Sequence, residues 1–177
     1  DNGEVFFAAG SGELLQRIGS TSTQLGGDDD ITVGDGNDVV IAGNGADYIN
    51  WDSSGTLSEP RIGEDTGKDV IIGDSGEAIF EIYNGLEALL EIRTIDDTQG
   101  GSDKIWTDGG SDVVLGGAGS DILDAGTDDS RDIVLGDNGE VFFAAGSGEL
   151  LQRIGSTSTQ LGGDDDITVG DGNDVVI

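Results

Sequence analysis

The sequence predicts an all-β fold, a parallel β-roll or β-solenoid of Gly-Asp turns and short strands, and three observations predict it. Gly34-Asp35-Gly36-Asn37-Asp38-Val39-Val40-Ile41 is followed at once by Gly43-Asn44-Gly45-Ala46-Asp47-Tyr48-Ile49, so a template x-G-x-G-x-D-x-U-x, with U a large apolar residue, recurs every nine residues. A second tandem pair, Gly109-Gly110-Ser111-Asp112-Val113-Val114-Leu115 and Gly117-Ala118-Gly119-Ser120-Asp121-Ile122-Leu123, repeats it. Residues 1–41 recur unchanged as residues 137–177, a long period of 136 residues (137 − 1) that points to a tandem array of large units rather than a globular enzyme. In each nonapeptide the glycines supply the turn, the aspartate an inward carboxylate, and the last three residues a short strand.

Composition narrows what such a fold can bind. The 177 residues include 33 Gly, and 37 Asp and Glu stand against 7 Lys and Arg, a formal net charge of −30. A chain so charged repels itself and needs cations to become compact, and without basic patches nucleic acid is excluded as a partner. With no Cys, His or Met, disulfides, thiolate chemistry and imidazole catalysis are absent, and so are the soft ligands of zinc and copper. Oxygen ligands remain, and many flexible carboxylates and carbonyls favour Ca²⁺ over Mg²⁺. Apolar residues make up 34% of the chain and are spaced periodically, which argues against disorder. The longest apolar run, Val5 to Ala9, is too short to span a bilayer, and no basic-then-apolar leader opens the chain, so a soluble chain without a membrane span is expected.

The elements follow in order. Gly73-Asp74-Ser75-Gly76-Glu77-Ala78-Ile79-Phe80 echoes Gly136-Asp137-Asn138-Gly139-Glu140-Val141-Phe142-Phe143, so the unit divides into two divergent modules, residues 1–73 and 74–136, with residues 137–177 the start of an identical next module. Each module opens with a D-x-G-E turn, runs through an apolar excursion and enters the tandem nonapeptides. The excursions, Glu4 to Ile18 and Ala78 to Ile95, are predicted as longer strands joined by turns, since Asn84-Gly85 between apolar runs is a tight-turn signal. A helix across Leu86–Arg93 is the alternative, on the spacing of Leu86, Leu89, Leu90 and Arg93. Asp47 to Asp69 spans 22 residues where Asp121 to Asp132 spans 11, so the first module carries an extra eleven-residue polar loop, at about residues 52–64, with the only proline in it.

Two nonapeptides close one coil in about 18 residues, and coils pair their strands at roughly 4.8 Å. Asp29 then stacks over Asp47 and Asp103 over Asp121, with Asp38 and Asp112 on the opposite edge. If the long loop counts as one enlarged turn, Asp38 stacks towards Asp69 and Asp112 towards Asp132. This counting predicts three coils per module and six per unit, rising on the order of 29 Å. Ile31, Val40, Ile49, Ile71, Ile105, Val114, Leu123 and Val134 are expected to line a thin interior, and Trp51 and Trp106 to pack or cap rather than stack sugars.

These repeats resemble the RTX (repeats-in-toxin) family, whose G-G-x-G-x-D-x-U-x nonapeptide forms a calcium-binding parallel β-roll. The resemblance implies several Ca²⁺ ions between successive same-side turns. Their carboxylates would be Asp29, Asp38, Asp47, Asp69, Asp103, Asp112, Asp121, Asp132, Asp165 and Asp174, and their backbone carbonyls those of Gly34, Gly36, Gly43, Gly45, Gly117 and Gly119. The alternative is that the Asp-Gly turns are mere turns with solvated carboxylates. The D-x-G-E turns depart from the pattern: Val5, Ala78 and Val141 occupy the aspartate position, so calcium there would need Asp1, Asp74 or Asp137 with the following Glu, or those turns are empty.

Function follows as an expectation: a calcium-stabilised extracellular structural repeat, a segment of a filament, adhesin stalk or surface layer, with neighbouring identical repeats or copies as its partners end to end. In the family it resembles, such arrays stay unfolded in low-calcium cytosol, leave bacteria by type I secretion and fold outside. The alternative is a secretion and folding appendage of a toxin, protease or lipase whose catalytic domain lies elsewhere. No enzyme is expected within these residues, because the carboxylates fall on a turn lattice rather than in a paired cleft.

Overall fold

Consecutive apolar residues mark a strand covered on both faces, whereas a single apolar residue between polar ones marks a strand covered on one. That distinction sorts the short strands of this chain. The computed structural model describes residues 3–9, 14–22, 24, 26–51, 65–158 and 160–177, and in it sixteen strands form three sheets. In chain order they are β1 (Gly3–Phe7), β2 (Leu15–Ser20), β3 (Asp30–Ile31), β4 (Val39–Ile41), β5 (Tyr48–Ile49), β6 (Val70–Ile72), β7 (Gly76–Tyr83), β8 (Leu86–Thr94), β9 (Lys104–Trp106), β10 (Val113–Gly117), β11 (Ile122–Asp124), β12 (Ile133–Asp137), β13 (Gly139–Ala144), β14 (Leu150–Ser156), β15 (Asp166–Thr168) and β16 (Val175–Val176). Among the described residues no helix is long and apolar enough to cross a membrane.

Two parallel five-stranded sheets form the walls of a roll. The outer sheet, β15-β11-β9-β5-β3, carries one inward apolar residue per strand, Ile31, Ile49, Ile105, Leu123 or Ile167, flanked by outward residues such as Asp30, Lys104 and Thr168. The central sheet, β16-β12-β10-β6-β4, reads Val-Val-Ile in β4, Val-Ile-Ile in β6, Val-Val-Leu in β10 and Ile-Val-Leu in β12. Its middle residues Val40, Ile71, Val114 and Val134 meet the outer sheet in a thin interior. The eight apolar residues expected to line that interior all do so.

The outward residues of the central sheet are apolar because a third layer covers them. The excursions form a six-stranded antiparallel sheet, β1-β2-β7-β8-β13-β14. Its Ala78, Phe80, Leu89, Ile92, Val141 and Phe143 pack against Val70, Ile72, Val113, Leu115, Ile133 and Leu135 of the central sheet. Leu86–Thr94 is strand rather than helix, and Asn84 (φ 53°) and Gly85 (φ 84°) make the turn before it, both in the left-handed conformation that a tight two-residue hairpin demands.

The coil count is therefore corrected. From one D-x-G-E turn to the next the chain adds two strands to each of the three sheets, not three coils to a single solenoid. Val5, Ala78 and Val141, lacking a turn aspartate, sit inside β1, β7 and β13, which pair with their own returning limbs. Four strands per sheet at a spacing of about 4.8 Å advance a 136-residue unit by roughly 19 Å. Because every layer grows at the same rate, the hairpin sheet stays in step with the roll beneath it. The polar loop at about 52–64 lies outside the described residues, between β5 and β6 in the sequence.

Candidate metal centre

Each nonapeptide turn ends on an aspartate whose backbone enters a strand while its side chain stays at the edge of the roll. Parallel pairing repeats that position coil after coil, and the result is two aspartate ladders. On one edge the N–H of Asp29 donates to Oδ1 of Asp47 (2.8 Å), that of Asp47 to Asp103 (2.8 Å), that of Asp103 to Asp121 (2.9 Å) and that of Asp121 to Asp165 (2.9 Å). On the other, Asp38 donates to Asp69 (2.9 Å), Asp69 to Asp112 (2.8 Å), Asp112 to Asp132 (3.0 Å) and Asp132 to Asp174 (3.0 Å). The structure thus brings the ten aspartates singled out in the sequence into two stacks, including Asp69 and Asp132, whose flanking residues fit the template poorly.

The ladder satisfies one carboxylate oxygen and strands the other. Oδ2 of Asp47, Asp103, Asp112 and Asp121 is buried with no hydrogen-bond partner among the described residues, and so is that of Asp38, which heads its ladder. Burial pushes the carboxyls of the inner ladder aspartates up, the ladder N–H bonds, and at Asp112 first the nearby Thr107 hydroxyl, pull them partly back, and adjacent carboxylates raise them again: Asp103 to about 9, Asp69, Asp112 and Asp121 to about 7, and Asp47 to about 6. Asp132 is also raised to about 6, and Asp38 and Asp165 are raised, by burial above all. A buried, unpaired carboxylate costs several kcal/mol, on the order of what a bound cation would return. Asp38, Asp65 and Asp69 already hold ligand oxygens within 4.8 Å of one another across two coils.

Carbonyls stand beside the ladders because glycine lets the coils approach. Gly27, Gly45, Gly101, Gly119 and Gly163 form a column in which a Cβ on any of the last four would overlap the carbonyl oxygen of the glycine one coil before. Gly45 (φ 140°) and Gly119 (φ 133°) also adopt a backbone conformation closed to other residues. On the opposite edge Gly67 and Gly110 lie in the same way against the carbonyls of Gly36 and Gly67, and Gly172 against that of Ser130. Of the glycines singled out in the sequence, Gly36, Gly45 and Gly119 stand in these columns, and Gly43 and Gly117 two residues before their column glycines. Gly34 stands likewise two residues before Gly36, at the exposed end of the stack, with nothing within 4 Å of where a Cβ would stand. Gly101, Gly163, Gly67, Gly110 and Gly172 hold the template's second glycine position, two residues before a ladder aspartate, but were not singled out as ligands in the sequence, and neither was Asp65; Asp74 and Asp137 were named there only for the D-x-G-E turns.

The D-x-G-E turns behave differently from expectation. Asp74 is buried and Asp137 half-buried on the Asp103 edge, while Asp1 lies outside the described residues. The following glutamate is not beside them. Glu77 points to the outer face of the hairpin sheet, between Arg17 and Arg93. Burial acts to raise its carboxyl, and the two guanidinium groups outweigh it and hold the group below its ordinary value. Trp106 is buried, its carbonyl accepting from Asn50 Nδ2 (2.9 Å), and Trp51 is half-buried with Lys104 Nζ 5.7 Å from its ring centroid, as packing residues are.

A parallel roll whose edges stack buried carboxylates beside glycine carbonyls, with no softer ligand in the chain, belongs to the class of proteins that hold hard divalent cations between successive turns. The family model of the RTX calcium-binding nonapeptide repeat matches this chain in four copies, at residues 25–50, 97–131 and 161–177. The matched segments carry the RTX nonapeptide, a calcium-binding repeat. No curated protein and no solved structure matches it.

Proposed function

We propose that this calcium-binding repeat protein is an extracellular structural element, a segment of a filament, adhesin stalk or surface layer built from tandem 136-residue units and folded by Ca²⁺ after secretion. One observation carries the reading: the ladders run unbroken through every described coil, from Asp29 to Asp165 and from Asp38 to Asp174, so the ion sites follow the axis of the roll instead of gathering at one place. The ladder aspartates and the column glycine carbonyls supply the ligands. Ca²⁺ takes six to eight oxygens and tolerates irregular geometry, so it suits a gap lined by two carboxylates and stacked carbonyls. Each ion neutralises repulsion between coils and ties them together, which makes metal affinity a part of the folding free energy.

A chain of net charge −30 that depends on such ions stays unfolded where calcium is scarce and folds where it is abundant, which is the logic of a secreted array. The unchanged recurrence of residues 1–41 supports a tandem array of identical units; no catalytic role is part of this proposal. The test is far-UV circular dichroism of the 177-residue chain titrated with Ca²⁺, then chelator, with Mg²⁺ as control. A cooperative coil-to-β transition specific to Ca²⁺ is expected, and unchanged β structure in chelator would overturn the reading. For the array, electron microscopy of the secreted protein should show rods with an axial repeat near 19 Å, the rise of four strands at about 4.8 Å.

A further inference from the structure

The hairpins are inserted into turns of the Asp103 edge, and the point of insertion is the same each time. Aligned with the unbroken turn Gly116-Gly117-Ala118-Gly119-Ser120-Asp121, the turn between β6 and β9 reads Gly73-Asp74, then the hairpin β7–β8, then Gly100-Gly101-Ser102-Asp103. The turn between β12 and β15 reads Gly136-Asp137, then β13–β14, then Gly162-Gly163-Asp164-Asp165. Gly101 and Gly163 keep their places in the glycine column, and Asp103 and Asp165 theirs in the ladder. The hairpin splits the turn without removing it. At the second position of each split turn, an aspartate, Asp74 or Asp137, stands where the unbroken turn has Gly117.

That exchange puts a carboxylate inside the turn. Asp74 is 1% exposed; its Oδ1 accepts from the N–H of Gly101 (3.2 Å) and its Oδ2 from that of Ala118 (2.5 Å), across the split and onto the next coil. Gly100 and Gly117 make the room, since a Cβ on either would overlap Asp74 Oδ2. Asp137 repeats the arrangement, accepting from Gly163 N–H (2.9 Å) over Gly162. The ladder carboxylate faces the same limb from the other side: a Cβ on Gly73 would overlap Asp103 Oδ2 and lie 2.7 Å from the Gly116 carbonyl oxygen, and Gly136 faces Asp165 Oδ2 likewise. Amide bonds account for where Asp74 sits. They do not account for Asp103 Oδ2, which is fully buried, aimed at this turn and without a hydrogen-bond partner among the described residues.

We propose that each split turn is itself a Ca²⁺ site, in which Asp74 or Asp137 supplies a carboxylate that the unbroken turns of the same edge, with Gly43 and Gly117 at that position, lack, and the ion fastens the two limbs of the turn across the base of the hairpin. The proposal rests on the calcium reading of the ladders. It makes docking of the hairpin layer, and not only closure of the roll, depend on calcium, and it gives the split turns a tighter hold on the ion than their neighbours.

The test is calcium binding by the full chain, measured by isothermal titration calorimetry and equilibrium dialysis with Ca²⁺ alone, for the wild type, Asp74→Asn, Asp137→Asn and the double variant. Asp166→Asn, on the exposed face of β15, serves as control. Each single variant should lose one ion at a concentration that saturates the wild type, with the affected site weakened at least about tenfold, ~1.4 kcal/mol. The double variant should lose two, and the control none. A double variant with the wild-type circular dichroism spectrum, the full count and undiminished affinity would overturn the proposal. If Asp74→Asn fails to fold in saturating calcium, Asp137→Asn, at the less buried of the two turns, carries the same test. A wild type that binds no calcium would sink the ladder reading itself, a result distinct from either outcome at the split turns.

Discussion

Two regions of this molecule stack acidic side chains strand upon strand, and they neutralise them by opposite means. Along the roll edges aspartate follows aspartate, with only backbone N–H groups and glycine carbonyls between them. Across the outer face of the hairpin sheet, Glu4, Arg17, Glu77, Arg93, Glu140 and Arg153 alternate from strand to strand, joined by ion pairs of Arg17 with Glu4 and Glu77, Arg93 with Glu77, and Arg153 with Glu140; Arg93 lies directly across from Glu140. Three of the chain's 7 basic residues are spent on this row. The hairpin sheet carries its own counter-charges, whereas the ladders must take theirs from solution. On the proposed function, one layer is folded by its sequence and the other by its sequence and an ion, with the shared apolar seam coupling them.

Substitutions that strike only one region separate the two mechanisms. The largest effect is expected from Gly119→Ala, whose Cβ would overlap the Gly101 carbonyl oxygen in a backbone conformation (φ 133°) closed to alanine. Strained backbone and displaced coils together should cost about 3 kcal/mol or more, lowering the melting temperature in calcium by roughly 6–12 °C. Asp112→Asn should reverse sign with conditions. In calcium it removes a ligand and raises the calcium midpoint at least about tenfold, ~1.4 kcal/mol. In chelator it removes a buried charge and stabilises whatever folded roll remains, which denaturant melts in the two conditions would show.

The ladders should also make stability depend on pH in a direction opposite to ordinary carboxylates. Asp69, Asp112 and Asp121 are raised to about 7 by burial, so between about 4 and 7 the folded state holds protons that the unfolded chain has released. Without calcium, stability should therefore fall as pH rises through that window, and continue to fall towards the value of about 9 for Asp103. With calcium the ions displace those protons and the slope should vanish, proton release being measurable by calorimetry in buffers of different ionisation enthalpy. The smallest effect falls on the other region: Glu77→Gln, which loses two guanidinium partners, should cost about 1–2 kcal/mol, and equally with and without calcium.

The aspartates of the ladders were legible in the sequence because a nonapeptide spacing leaves their register no freedom. Asp69 was legible only through parity, since the loop before it hides the count. The hairpin sheet was half legible: Asn84-Gly85 announced a turn, but the local pattern gives no sign of which strands a hairpin joins. A signal did exist. Val39, Ile41, Val70, Ile72, Val113 and Leu115 are apolar on both sides of the inward residue, whereas the outer strands offer Asp30, Lys104 or Asp124 there, so one wall of the roll had to be covered. Asp74 was read in a D-x-G-E turn but not as half of a nonapeptide turn, because 25 residues separate it from Gly100 (99 − 74), and only the assembled ladder shows the two to be halves of one turn.

Native-state hydrogen exchange, in calcium and then in chelator, tests the central claim most directly. The amides of Asp47, Asp69, Asp103, Asp112 and Asp121, each donating to the carboxylate one coil on, should be strongly protected in calcium and lose that protection by orders of magnitude in chelator, more than the amides paired between β7 and β8. Ladder amides that stay as protected in chelator as in calcium would show that the stacked aspartates need no ion, and would contradict the account.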